Sequence, residues 1–325
     1  MYHIARRLAI TLSLSSVILG AKAQVAATDS LGEVRRDSVR RLDEVVVYAR
    51  QMLGSKFEAR NRTGSAYYLS PKELKKFGYT DISRMLRAVP GVNIYEEDGY
   101  GLRPNISLRG TKAERSERIS LMEDGILAAP APYAAPAAYY FPNVARMYAI
   151  EVLKGSSQVQ YGPFTTGGAV NMVSTPIPKS FQAGLRTSYG SFGTFNTYAH
   201  LGSDHKHVGY LVEYLRYQSK GFKKDEPNER TGFYRNDVVG KLRIHSDEDA
   251  EIRQALELKL GFSNEHSDES YVGLSEQDFA SRPYYRYRGA QMDQLQTRHT
   301  QTALTHLIDF TGGLKVTTSA YYNYF

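Results

Sequence analysis

The chain has 325 residues, of which 42% are hydrophobic and 23% charged, the range of an ordinary folded protein. It contains no cysteine, which excludes disulfides, thiolate metal sites and a cysteine nucleophile. The formal net charge of +7 falls to +4 when a predicted N-terminal signal with Arg6, Arg7 and Lys22 is removed. A mildly basic chain gives little reason to expect a nucleic acid as partner.

The first 23 residues predict a secretory signal peptide. Arg6 and Arg7 precede an apolar run over 8–20, and residues 21–23 (AKA) have the small-residue pattern of a cleavage site. A membrane anchor is the alternative, but the run is shorter than the ~20 residues that a spanning helix needs. No other stretch reaches ~18 apolar residues, so we expect any membrane-embedded part to be a β-barrel.

Residues 24–51 predict a flexible leader, because they are polar and charged and show no apolar period. Within the leader, residues 43–49 read DEVVVYA. Three successive valines favour an extended segment, which can add as a strand to the sheet edge of a partner protein. An ordinary short strand is the alternative interpretation.

Residues 52–176 have the composition of a compact mixed domain. Residues 70–73 (SPKE) have the order of a helix start, and a second helix is predicted from Thr80 or Asp81 up to Pro90. Short strands are predicted at 92–95, 106–109, 119–123, 150–153 and 169–174, between turns. Residues 123–125 (EDG) are interpreted as one of these turns. The pattern predicts an α+β domain.

Residues 177–325 change to segments of about ten residues with alternating polarity, the length and period of tilted transmembrane strands. In 254–263, four apolar side chains share one face, while Glu257 and Lys259 lie on the other. Seven antiparallel strands are predicted, at 183–189, 195–202, 208–218, 238–245, 254–263, 301–310 and 314–324. Their connections alternate between short and long, as in outer-membrane barrels.

A soluble sandwich or open sheet is the alternative to a barrel, but an apolar face opposite a charged face favours lipid outside and water inside. A barrel that encloses a separate domain has about 22 strands. We therefore expect an incomplete part of a 22-stranded outer-membrane β-barrel, truncated at Phe325. The aromatic residues 321–325 also resemble the last strand of a finished barrel, and this is the less favoured reading.

Several motifs follow one another between residues 67 and 175. They are 102–110 (LRPNISLRG), 121–126 (LMEDGI), 129–133 (APAPY), 139–142 (YYFP), 151–155 (EVLKG), 160–162 (QYG) and 167–171 (GGAVN). With these motifs the chain resembles the plug domain of TonB-dependent receptors. The proline-alanine stretch 129–136 resembles the ferric citrate branch of that family.

The resemblance implies TonB-dependent active uptake of an iron chelate, ferric citrate first, across the cell outer membrane. It implies no catalytic residue, no cofactor and no enzyme activity, and no Gly-x-Ser-x-Gly elbow supports a barrel enzyme. Another siderophore, haem or a cobalamin is the alternative cargo, and a non-transporting truncated remnant is the alternative state.

The resemblance also assigns candidate contacts. TonB, in the periplasm, is expected to bind the TonB box, which comprises Asp43, Glu44, Val45, Val46, Val47, Tyr48 and Ala49. Substrate is expected to contact outward plug loops through Arg103, Arg109, Lys112, Arg115, Arg118 and Tyr133. Guanidinium groups bind carboxylates through paired hydrogen bonds, so an iron-citrate anion suits the basic stretch 109–118. A solvated loop neutralised by Glu114 and Glu117 is the alternative.

Two further segments carry charge or possible ligands. Residues 282–288 (RPYYRYR) fall in the longest predicted outer loop, where they are expected to close over substrate or contact lipopolysaccharide phosphate. A solvated basic surface is the alternative. His205 and His207 have metal-like spacing, but they fall in a predicted short turn without other ligands nearby. No metal site is therefore predicted.

Overall fold

The computed structural model describes residues 51–62, 64–76, 81–162, 166–224, 231–311 and 313–325. The predicted signal peptide, residues 24–50 of the leader and the predicted TonB box at 43–49 lie outside the described residues. Among the residues described, no helix is both long and apolar enough to cross a bilayer. The described chain begins with a mixed domain and continues into a large antiparallel sheet.

The mixed domain contains the helices α1 (Lys56–Asn61), α2 (Pro71–Lys76) and α3 (Ile82–Leu86), and the strands β1 (Ser65–Leu69), β2 (Val92–Tyr95), β3 (Asn105–Leu108), β4 (Ile119–Glu123), β5 (Ile126–Leu127), β6 (Met147–Lys154) and β7 (Gly168–Ser174). Five strands form a sheet in the order β1-β6-β7-β4-β5, and β2 pairs with β3. The predicted α+β domain is confirmed, although α1, β1 and the two-residue strand β5 were not predicted.

The helix starts follow from local hydrogen bonding. Glu73 Oε2 accepts from the Ser70 backbone N–H at 2.9 Å and from the Ser70 hydroxyl at 2.6 Å, which fixes the start of α2. Asp81 caps α3 through the Ser83 N–H at 2.8 Å. The helix ends at Leu86, before the predicted end, and turn hydrogen bonds from the Ala88 N–H to the Met85 carbonyl and from the Val89 N–H to the Leu86 carbonyl follow it.

The core of this domain lies on both faces of the five-stranded sheet. One cluster packs the helices against the sheet and includes Leu86, Ile106 and Val152. The other includes Leu153 and Ala169 on the opposite face. β6 and β7 are buried along almost their whole length, which explains why their sequences are apolar runs rather than alternating patterns.

The large sheet contains seven strands: β8 (Gln182–Gly190), β9 (Thr194–His205), β10 (Val208–Ser219), β11 (Phe233–His245), β12 (Ile252–Ser267), β13 (Leu295–Phe310) and β14 (Lys315–Tyr324). Each strand pairs with the next in antiparallel fashion. All seven predicted strands are confirmed. Several extend beyond the predicted ends at the long-loop side, because backbone pairing continues past the apolar band of each strand.

The two faces of this sheet differ in polarity as predicted. Leu242, Leu258 and Leu304 lie in register on three neighbouring strands and face away from the mixed domain. Lys241 and Lys259 face the domain and are buried. The sheet does not close, since β8 and β14 form its two edges. This is the arrangement of part of a barrel wall with a domain against its inner side.

The longest outer loop, 268–294, is internally organised. It contains α4 (Glu276–Ser281), capped by Ser275. Its Tyr285 pairs with Lys224 of the neighbouring long loop. The two long loops therefore meet at the end of the sheet opposite the short turns.

Candidate functional site at the interface between domain and sheet

Lys259, near the middle of β12, connects the sheet to the mixed domain. Its ammonium nitrogen lies 2.7 Å from Glu123 Oε1 and 2.6 Å from Asp124 Oδ2. All three side chains are buried. Asp124 and Gly125 form the turn between β4 and β5 with φ of 54° and 76°, the geometry that an Asp-Gly hairpin turn requires. The predicted turn thus presents two adjacent carboxylates to one lysine of the wall.

Arg146 completes this group from the domain side. Its guanidinium binds the two oxygens of Glu123 at 2.6 and 2.9 Å. Burial by itself would raise the pKa of Glu123, but Arg146 and Lys259 outweigh it and lower that pKa to about 2. Glu123 therefore remains ionised at neutral pH. We call Glu123, Asp124, Arg146 and Lys259 the interface charge cluster.

A second lysine of the wall holds the end of β7. Lys241 Nζ donates to Ser174 Oγ at 2.6 Å and to the Thr175 carbonyl at 2.5 Å. Ser174 also donates its backbone N–H to Asp124 at 2.9 Å. The point where the chain leaves the domain is therefore bound to the same wall that carries Lys259.

Arg103 does not lie on an exposed loop facing a ligand, contrary to our expectation from the sequence. It is 4% exposed and pairs with Glu265 of β12 at 2.6 Å and with Glu269 of the following loop at 2.8 Å. The physical reason is that Glu265 faces the domain, where a buried carboxylate needs a cation. Arg103 is a second contact between domain and wall, near the long-loop end.

We expect Glu269→Gln to flatten the pH dependence of stability between about pH 4.5 and pH 7. Burial raises the pKa of Glu269 to about 7, against the opposing effect of Arg103. A folded-state pKa above the unfolded value gives stability that is complete at low pH and is lost as the pH rises through about 7. Unfolding midpoints of the full-length chain and the variant at pH 5 and pH 8 test this. Glu276→Gln, on an exposed site, is the control, and an unchanged slope in Glu269→Gln would contradict the assignment.

The four basic residues of the stretch 109–118 are exposed. Lys112 pairs with Glu114 at 2.8 Å, and Arg118 lies 3.4 Å from Glu117. For Arg109 and Arg115, the described part of the chain offers no ion pair, and both have positive φ (55° and 51°). These two left-handed residues turn the loop sharply, and the excess positive charge of the stretch remains open to solvent.

The other expected contact segments have different surroundings. Tyr133 is 43% exposed on the turn that follows β5. In 282–288, Arg282 pairs with Asp278 at 2.8 Å and lies 4.0 Å from the Tyr285 ring centroid. Arg286 is buried and donates to the carbonyls of Asp268, Ala290 and Asp293. This loop is thus held partly by its own arginines.

A cavity of about 830 Å³ lies between the mixed domain and β8–β10. Its lining includes Tyr148, Pro178, Arg186 and His200. None of the six residues expected to contact substrate lines it. The cavity lies beside the linker from β7 to β8, so it belongs to the short-turn end of the wall.

Sequence reasoning did not identify the interface charge cluster. Glu123 and Asp124 were interpreted only as part of a turn, and Lys259 only as one polar residue of an alternating strand. The available signal was the row of charges on the inner faces of the predicted strands, since buried charges require partners. That row predicts ion pairs across the interface, but it does not name the partners.

The comparisons with known proteins agree with this architecture. Residues 58–169 match the family model of the TonB-dependent Receptor Plug Domain. The unliganded ferric citrate transporter FecA matches with a TM-score of 0.71 and 20% identity over 83% of this chain and 41% of that chain. The ferric yersiniabactin uptake receptor FyuA from Yersinia pestis matches with a TM-score of 0.63 and 19% identity over 82% and 42%.

The siderophore receptor PirA from Acinetobacter baumannii has a TM-score of 0.59 and 20% identity over 82% of this chain and 40% of that chain. The chain thus spans about two-fifths of the length of these solved structures. At these identities the likeness establishes the fold.

Proposed function

Residues 58–169 are the plug domain of a TonB-dependent outer-membrane receptor, and from this premise we propose that the protein imports an iron chelate, with ferric citrate as the substrate. The observation that carries the proposal is a plug domain bound to the inner face of a barrel wall by the interface charge cluster. A domain held in this way blocks the lumen until it is moved. No bond of the substrate is broken in such a process.

The exposed stretch 109–118 supports an anionic chelate. Arg109 and Arg115 keep their guanidinium groups outside the ion pairs of the described chain, and guanidinium binds carboxylates in a paired geometry. Lys112, Arg118 and the phenol of Tyr133 complete the proposed contact set. The fold likeness to a ferric citrate transporter supports citrate within this class.

The proposed energy source is TonB. Residues 43–49 are proposed to pair with the sheet edge of TonB on the periplasmic side, because their valines favour an extended strand. We propose that chelate binding on the outer side changes the exposure of this segment. A pull by TonB would then move the plug away from the wall.

The surroundings of the barrel complete the proposal. The outward leucine face of the wall is proposed to contact outer-membrane lipid. Exposed Arg282 and Arg288 of the longest outer loop are proposed to contact lipopolysaccharide phosphate. A related receptor for another siderophore is the second candidate, which the fold likeness to FyuA and PirA supports.

We expect cells that lack their own ferric citrate uptake to gain it when they express the full-length receptor. In the variant Arg115→Gln/Arg118→Gln, the half-saturating concentration should rise at least about tenfold, because charge-assisted hydrogen bonds to the chelate are lost. Uptake of radioactive iron as citrate measures both effects. Lys72→Gln, an exposed replacement on α2 outside the proposed contact set, is the control. If the receptor takes up a different iron chelate but not ferric citrate, the proposed substrate is wrong and the proposed transport mechanism stands.

A further inference from the structure

Glu151, in the middle of β6, binds the backbone of the segment that enters the plug. Its Oε2 accepts from the Met52 N–H at 2.6 Å, and its Oε1 accepts from the N–H groups of Leu53 and Gly54 at 2.9 and 2.8 Å. Asn171 of β7 donates to Oε2 at 2.9 Å. Four N–H groups thus converge on one carboxylate. We call this arrangement the entry clasp.

The entry clasp lies inside the plug core. Glu151 is completely buried, and Met52 and Leu53 are each only 5% exposed. Glu151 stands opposite Tyr68 of β1 and Asn171 of β7 in the sheet. An ionised carboxylate in a protein core is unstable without hydrogen-bond donors, so the four N–H groups are needed there. The backbone of 52–54 and the centre of the sheet are therefore bound to each other strongly.

The entry clasp follows the predicted TonB box directly in the sequence. The predicted TonB box ends at residue 49, three residues before Met52. A pull that passes along the covalent chain from that segment enters the described residues at 51 and then reaches 52–54. Within the described residues, the first buried polar attachment on this route is the carboxylate of Glu151.

Resting on the proposed TonB-dependent function, we propose that Glu151 is a positioning residue that transmits the pull from the N-terminal segment into the plug sheet. The clasp holds the entry segment on β6, the strand between β1 and β7. Force that enters at 52–54 is then applied to the centre of the sheet. Without the clasp, the same pull extends the entry segment and leaves the sheet in place.

The test uses Glu151→Gln in the full-length receptor. A glutamine offers one acceptor oxygen where the carboxylate offers two, so hydrogen exchange at 52–54 should become at least about tenfold faster. Chelate binding to cells should be unchanged, while TonB-dependent uptake should fall at least about fivefold. Glu58→Gln, an exposed replacement on α1, is the matched control and should change none of the three.

Leu53→Pro is a second variant, since it removes one donor of the clasp and leaves Glu151 in the sheet. It should reproduce the faster exchange at residues 52 and 54, whose amides remain, together with the loss of uptake, which keeps the test decisive if Glu151→Gln does not fold. If hydrogen exchange at the amides of 52–54 is unchanged, Glu151 does not hold the entry segment. If exchange becomes faster but uptake stays normal, the clasp exists and has no role in coupling. A wild-type receptor that takes up no iron chelate would overturn the proposed function and the coupling role together, while the exchange result would still decide whether the clasp exists.

Discussion

Lys259→Met is expected to weaken the attachment of the plug to the barrel wall by about 3–5 kcal/mol, the usual cost of removing one partner from a buried ion group. Methionine fills a similar volume, so the loss arises from charge rather than from a cavity. Glu123 keeps Arg146 and Asp124 keeps its hydrogen bonds from Ser174, but both carboxylates lose the ammonium group that lies 2.7 and 2.6 Å from them. The variant therefore removes one of the two positive charges of the buried interface charge cluster.

Urea unfolding of the plug within the full-length receptor measures this loss. The midpoint, followed by hydrogen exchange at the amides of β4 and β7, should fall by about 2 M. Lys315→Met is the matched control, because Lys315 is partly exposed and its ion pair with Asp309 is long, at 3.9 Å. The control should shift the midpoint little, since such pairs contribute about 0–1 kcal/mol.

A second variant separates charge from packing. Adding Asp124→Asn to Lys259→Met should recover part of the lost stability, because it removes one of the two negative charges of the cluster, which then faces only Arg146. If both receptors lose the same stability, or if Lys259→Met behaves like Lys315→Met, the interface charge cluster does not hold the plug. The cluster then has no part in the transport mechanism.

The strands of the barrel wall could be predicted because the polarity pattern that defines them lies within each strand. Each strand alternates between outward and inward positions with a period of two, so Leu256 and Glu257 indicate their faces without knowledge of any partner. The starts of α2 and α3 were predictable for the same reason, since Ser70 and Asp81 act on residues two or three positions away.

The interface was not predictable because its contacts are distant in sequence. Lys259 and Glu123 are separated by 136 residues, and Met52 and Glu151 by 99. No periodicity connects such pairs. Arg103 shows the same limit. From the sequence its charge was predicted to be open to a ligand, whereas in the structure it is neutralised by Glu265, which lies far along the chain.

The unpredicted strand β1 also depends on a distant partner. β1 is five residues long and has no alternating pattern. It exists because it pairs with β6 over Ser65 to Leu69. Short edge strands of this kind are fixed by their neighbour in the sheet and carry little signal of their own.

Val46→Pro is expected to reduce TonB-dependent uptake to background while chelate binding to cells stays normal. Proline removes the backbone N–H of residue 46 and cannot continue a hydrogen-bonded strand ladder, so the proposed pairing of 43–49 with TonB fails at its centre. Uptake of radioactive iron as citrate measures the effect. Val46→Ile is the control, since it keeps the N–H group and the preference for extended backbone.

Comparison of Val46→Pro with Glu151→Gln separates two steps of coupling, the pairing of 43–49 with TonB and the transmission of the pull at 52–54. Val46→Pro should stop uptake without changing hydrogen exchange at 52–54, because it acts on the partner and not on the clasp. Glu151→Gln should accelerate that exchange and lower uptake while residues 43–49 are unchanged. Normal uptake in Val46→Pro would exclude residues 43–49 as the TonB contact. Faster exchange at 52–54 in Val46→Pro would instead show that the two segments form one structural unit, so that the pull does not pass from one to the other in sequence.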